Sequence, residues 1–330
     1  MAQIVLGMAL SHGPMLSTTP EQWGHRVAAD RTGKHPFRGR FWTFPELVEN
    51  RRADHFERQC KLEVMRERHA ACQRALDRLA EIFAEVKPDV AVIFGNDQME
   101  IFNDSLIPAF SVMWGEQIVN SELPTARVAN LPPGIAEAVP GHIPPGGATY
   151  GGSPELARHI IEALMGEQFD VATIKSFPKG ETPHAFGFIY RRVMRDQPVP
   201  SVPLLQNTFF PPNQPTGSRC YAFGRAAAKA IRSWKSEARV AVFASGGLSH
   251  FVIDENLDRP FLDALRRGNA ADITGIPEEL LQSGNSEIKN WMALAGAMSQ
   301  DGRRFSLVDY VPCYRSEAGT GTANAFVCWR

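Results

Sequence analysis

Short apolar runs recur along the whole chain: QIVLGMA (3–9), DVAVIFG (89–95), PAFSVMW (108–114), FDVATIKSF (169–177), ARVAVFASG (238–246) and FSLVDYV (305–311). Most are bounded by Gly, Pro, Asn or Asp. Runs of this length, stopped by turn formers, read as buried strands. Between them the apolar period lengthens to three or four. Over 62–86, Leu62, Met65, His69, Cys72, Leu76, Leu79, Phe83 and Val86 fall on one face of a helix. Helical readings also suit 154–165, 218–234, 258–267 and 287–298. Strands that alternate with helices leave few architectures. The expected class is α/β, with a largely parallel or mixed central sheet covered by helices on both faces.

Two stretches break the rhythm. Residues 13–60 are rich in Arg, Pro, Trp and His (HRVAADRTGKHPFRGRFWTFPEL) and read as an irregular excursion over the sheet's end, suited to a lid. Residues 120–153 are rich in Pro and Gly, and long loops of this kind are usually functional or disordered. With no internal repeat and no clear linker, 1–330 reads as a single domain, long enough for a sizeable core.

Several function classes are disfavoured. A net charge of -1 argues against a nucleic-acid partner. No run of about 18 apolar residues would cross a membrane, and MAQIVLGMALSHG lacks the basic start and apolar core of a signal peptide. Five cysteines without CxxC spacing read as reduced, mostly buried thiols of a cytoplasmic chain.

Polar residues of catalytic type fall where strands end. His12 follows the first run, Asn96-Asp97-Gln98 the second, and His250, in GGLSH, the run 238–246. Ligands of open α/β sheets bind at the carboxyl ends of strands, so these residues are expected on one edge. Glu287 opens a helical pattern, where the helix dipole alone also favours a carboxylate. His184, in ETPHAFGF, follows another strand and a loop and suits a second hydrogen-bonding role. Two histidines and a carboxylate suit divalent iron with open positions, and zinc hydrolysis needs similar parts. GGLSH lacks the G-x-S-x-G elbow of a serine hydrolase, and no Gly-rich segment has dinucleotide or P-loop spacing.

Five segments, GMALSHGPML (7–16), PDVAVIFGNDQMEIFNDSLIPAF (88–110), PHAFGF (183–188), PPNQPTGSRCYAFG through GGLSHF (211–251) and SGNSEIKNW (283–291), give the chain a family likeness. It resembles the class III extradiol ring-cleavage dioxygenases and, within them, the catalytic beta subunit of protocatechuate 4,5-dioxygenase. Relative to the shorter members, about 17–70 is an insertion in a single catalytic domain. The resemblance implies His12 as the first iron ligand, Glu287 as the carboxylate ligand, His250 as the acid–base histidine, and His184 as a pocket histidine bonding substrate or oxygen. Gln98 falls on the second ligand histidine, which normally completes an Asn-Asp-His turn. Three readings of it stand open: Gln98 binds iron through its amide oxygen; His69, carried to the strands' carboxyl edge by an antiparallel helix, replaces the histidine, with His55 a poorer candidate; or the chain is a metal-free subunit. Tyr314, Arg315 and GTGTANAF (319–326) are implied beside the substrate. The expected function is that of an Fe(II) extradiol dioxygenase opening a catechol-type aromatic ring with O2, as a homo-oligomer. Its rivals are a non-catalytic paralogous subunit and a metal-dependent hydrolase.

Overall fold

The computed structural model describes residues 1–330. In chain order, β1 (Gln3–Leu10) precedes a hairpin of β2 (Lys34–Phe37) and β3 (Arg40–Thr43). β4 (Val90–Gly95) and β5 (Phe110–Met113) precede a second two-stranded sheet of β6 (Gln117–Asn120) and β7 (Ala148–Gly151). β8 (Ala172–Ile174), β9 (Ser201–Gln206), β10 (Arg239–Ser245), β11 (His250–Val252), β12 (Phe305–Tyr314) and β13 (Thr320–Trp329) complete the set. Nine strands share one mixed sheet: eight run in the order β11-β13-β1-β10-β4-β9-β5-β8, and β12 pairs with β13 off this path. At its centre β1, β10, β4 and β9 run parallel. β13 is antiparallel to β1, and β12 lies along its other edge.

Side-chain alternation writes the layers. Val90, Val92 and Phe94 of β4, with Val240, Val242 and Ala244 of β10, enter the core on one face. Ala91, Ile93, Ala241 and Phe243 enter it on the other. Strands buried on both faces read as unbroken apolar runs, which is why these two were legible. Helices Pro154–Gly166, Gly217–Ser233 and Ile288–Met298 cover the first face, and Leu62–Val86 with the short helix His184–Phe188 the second. Helix starts follow local chemistry: the Thr216 side chain accepts the Arg219 N–H, and Asp254 accepts the Asn256 N–H, starting the next helix at Glu255. No helix is long and apolar enough to cross a membrane. The α/β class with both faces of the sheet covered is as expected.

Residues 17–70 are more regular than their composition implies. They hold the β2–β3 hairpin, helices Val27–Thr32 and Phe44–Asn50, and several 3₁₀ turns. A capping box of Thr43 and Glu46 starts the second helix. Phe37, Phe44 and Leu47 pack on Val252 and Ala318, which seats the segment against the β11 end of the sheet.

Candidate active site

The carboxyl ends of β1, β4 and β10 open onto one cavity of about 400 Å³. His12 lies just beyond β1, Gln98 just beyond β4, and His250 beyond the turn that follows β10. Glu287 closes in from the junction of the 3₁₀ turn Ser283–Glu287 with helix Ile288–Met298. All four line the cavity, together with Glu100, His142 and His184.

His12 Nε2 faces Glu287 Oε1 at 3.5 Å. The Ser245 hydroxyl donates to the Ala185 carbonyl (2.6 Å), so in its 2.8 Å contact with His12 Nδ1 it accepts. This fixes the Nδ1–H tautomer and leaves the Nε2 lone pair aimed at the carboxylate. Burial lowers the His12 pKa, only partly offset by Glu287. Burial alone would raise the Glu287 carboxyl, but His12, His250 and the Gly247 N–H hold it well below the usual range. His12 and Glu287 are 5% and 4% exposed. When His12 is neutral, two buried acceptors face each other here, and a cation between them would relieve their repulsion.

A chain of side-chain amides sets the carboxylate. Gln206 Nε2 donates to Asn290 Oδ1 (3.0 Å), and Asn290 Nδ2 to Asn96 Oδ1 (2.9 Å) and the Ser245 carbonyl (2.8 Å). Asn96 Nδ2 then donates to Glu287 Oε1 (3.5 Å). The Gly247 N–H donates to Glu287 Oε2 at 2.7 Å. The chain joins β9, β4, β10 and helix Ile288–Met298.

His250 Nδ1–H donates to the Leu248 carbonyl (2.7 Å), which aims Nε2 at Glu287 Oε2, 3.6 Å away. Asn285 Oδ1 accepts the His250 N–H, and buried Asp258 takes both the N–H and the hydroxyl of Ser249. The surrounding glycines are steric necessities. A Cβ on Gly246 would come within 2.9 Å of Glu287 Cβ, and one on Gly284 within 2.1 Å of the His250 carbonyl oxygen.

His184 is governed by Glu100. Its Nδ1 lies 3.0 Å from both carboxylate oxygens, and its own N–H donates to Glu100 Oε1 at 2.8 Å. Burial opposes a charge on the ring, but the Glu100 carboxylate outweighs it and raises His184 to about 9. Glu100 in turn, despite burial, is held down to about 2 by His184. The ring of His184 stands edge-on to His12, centroids 4.5 Å apart. Asp97 folds this corner by accepting the N–H groups of Glu100, Ile101 and Phe102. Burial, then the neighbouring His184, lowers His142 to about 4, so it stays neutral.

Of the residues singled out in the sequence, His12, Gln98, His184, His250, Glu287 and Arg315 share the cavity. Arg315 lines it, but Nε and Nη2 each donate to Asp30 at 2.8 Å. Tyr314 points away, its hydroxyl donating to Glu255 and its ring on Phe56, because neighbours on a strand face opposite sides. His69 is turned aside as well. Its helix does reach the right edge, since Gln73 donates to the Leu16 carbonyl, but the ring sits against Gln73 and Trp23. His55 is exposed and bonded to Glu57. Glu100, His142, Arg26 and Asp30 were missed. Glu100 stands in the segment 88–110, and its spacing two residues past Gln98 was the available signal.

No three His, Cys, Asp or Glu side chains are arranged to hold a metal ion by themselves. His12 and Glu287 therefore fit an ion only with a further donor from outside that set. The Gln98 amide is a donor of that kind on the same cavity wall.

Residues 64–328 match the family described as the catalytic LigB subunit of aromatic ring-opening dioxygenase. A gallate dioxygenase of Pseudomonas putida (strain KT2440) is 30% identical over 187 residues, 52% of each chain, so this chain spans about half the length of that relative. An uncharacterized protein, JW3007 of Escherichia coli K12, aligns with a TM-score of 0.44 at 14% identity, over 77% of this chain and 91% of its own. That likeness is too distant to bear on activity.

Proposed function

Since the chain belongs to the family of catalytic LigB subunits of aromatic ring-opening dioxygenases, we propose that it is an Fe(II) extradiol dioxygenase cleaving a catechol-type aromatic with O2. The observation that carries this reading is the buried His12–Glu287 pair, with His12 Nε2 facing Glu287 Oε1 at 3.5 Å on the cavity wall. His12 Nε2, the Glu287 carboxylate and the Gln98 amide oxygen would hold the ion. Once bound, iron would supply charge stabilisation for the diol oxygens and the redox chemistry of O2.

The side chains account for the proton handling. His250, with Nδ1–H committed to Leu248, presents Nε2 to take a proton from a substrate hydroxyl and later return it. His184, kept cationic by Glu100, presents its other N–H to negative charge developing on a nearby oxygen. Ile135, Val139 and Phe188 on the wall offer an apolar face to a ring and keep water from it. The whole of 1–330 is read as one catalytic domain, with 17–70 its insertion. The Pseudomonas relative's name, gallate dioxygenase, supports a hydroxylated aromatic substrate.

A second reading, a paralogous subunit without catalysis, draws on one observation: a neutral amide, Gln98, at the site of the family's second histidine. Reconstitution with Fe(II), followed by metal analysis and O2 uptake with catechol, separates the two. The enzyme is expected to bind about one iron, and Glu287→Ala to lose it while keeping the fold. Full iron occupancy in Glu287→Ala would remove the proposed centre, and an iron-loaded wild type that consumes no O2 would favour the partner subunit.

A further inference from the structure

The charges lining the cavity are paired, with one exception. Arg315 is held by Asp30, Arg127 by Glu181, and His184 by Glu100, while Glu287 lies between His12 and His250. Arg26 lines the same cavity and makes no hydrogen bond and no ion pair. It is nonetheless firmly placed. It ends the 3₁₀ turn Pro20–Arg26, and its stem lies on Gly134, where a Cβ would come within 2.8 Å of Arg26 Cγ. Next to it His25 contacts Glu137 at 2.8 Å, and Glu137 also accepts the Gly134 N–H. The insertion and the loop 120–153 are thus joined at this residue. Arg26 is half-buried, and burial and the nearby Arg315 guanidinium both disfavour its charge. An anion in the cavity would relieve that cost.

We propose that Arg26 is the anion anchor of the cavity. It binds the carboxylate of an aromatic acid whose ring lies on Leu131, Ile135 and Val139 and whose hydroxylated edge faces His12 and Glu287. A planar guanidinium fork matches a carboxylate in two parallel hydrogen bonds. Arg315 and Arg127 are unsuited because each already holds a carboxylate of the protein. Arg26 would thus be the residue that separates ring diols with a carboxylate from those without one, an assignment that rests on the ring-cleaving reading for the diol alone.

The test is anaerobic calorimetry with 3,4-dihydroxybenzoate and with catechol, on iron-loaded and on chelator-stripped protein. Wild type should bind the benzoate the more tightly in both forms. Arg26→Met should lower benzoate affinity by ~10–100-fold, as expected for a lost charge-assisted hydrogen-bonded pair, and bring the ratio of the two affinities close to one. Arg26→Lys should restore part of the ratio. Arg26→Gln, which keeps the stem over Gly134, guards against a folding defect. An unchanged ratio in both Arg26→Met and Arg26→Gln, or a wild type without preference for the benzoate, would overturn the assignment. Absence of catechol cleavage alongside an Arg26-dependent preference in stripped protein would count against the chemistry and support the anchor.

Discussion

Glu100→Gln removes a charge and almost nothing else. The amide oxygen can still accept the His184 N–H, now made to Glu100 Oε1 at 2.8 Å, so the corner keeps its shape while the ring loses its counter-ion. Hydrogen bonds to charged groups contribute roughly 1.5–3 kcal/mol, and stranding one partner of a fully buried pair costs about 3–5 kcal/mol. The two side chains are 24% and 22% exposed, so solvent screening places the loss near the lower end, at about 2 kcal/mol. An unfolding entropy of ~2.1 cal/mol/K per residue gives a chain of this length ~0.7 kcal/mol/K, hence a fall in Tm of ~3 °C. The pH dependence makes the test specific. His184 is raised from 6.5 to about 9 in the folded protein, so its contribution is fully present below 6.5 and is lost as pH rises through about 9. Glu100 is lowered to about 2, so its contribution holds above its ordinary value of 4.5 and fades only in acid. Thermal melts of chelator-treated wild type and Glu100→Gln should therefore differ most between about pH 5 and 6.5 and converge towards pH 10. A gap that stays constant from pH 6 to 10, or is absent at pH 6, would refute the charged pair.

Two further predictions concern the metal centre. His250→Phe should retain iron by metal analysis and lose ring cleavage by roughly 10²–10⁴-fold in O2 uptake, as expected for an acid–base group; near-normal turnover would remove that role. Gln98→His should bind Fe(II) more tightly in a chelator competition, because imidazole is a better donor than an amide, whereas His69→Ala should leave the affinity unchanged. An emptied site in His69→Ala would show that the helix turns its histidine inward after all.

Much of the fold was legible because its strands are buried on both faces. The runs ending at Phe94 and Ala244 are continuously apolar, and the helix over 62–86 keeps one stripe. β9, β11 and β13 were harder to read. SVPLLQ carries a proline, HFV is three residues long, and six of the ten residues of TGTANAFVCW are Gly, Ala, Thr or Asn, so each owes its strand state to its neighbours in the sheet rather than to its own pattern. At the site, His12, Gln98 and His250 could be placed from strand ends alone. Rotation about an element could not. His69 reached the right edge on the wrong face, and Tyr314 and Arg315 point opposite ways from adjacent positions. Partnerships were equally hidden. That Asp30 occupies Arg315 and leaves Arg26 uncommitted depends on where a loop packs, which no local spacing records.

The amide chain from Gln206 through Asn290 and Asn96 to Glu287 belongs wholly to the sheet and its covering helix. Arg26, Leu131, Ile135 and Val139 belong to 17–70 and 120–153, the two segments draped over it. The cavity thus has a floor built by the sheet and a roof built by the two draped segments. Exchanging 17–61 or 120–153 would change the wall around Arg26, Leu131, Ile135 and Val139 while leaving the amide chain to Glu287 in place. Substitutions at Asn96 or Asn290 would instead loosen the Glu287 carboxylate whatever roof lies above it.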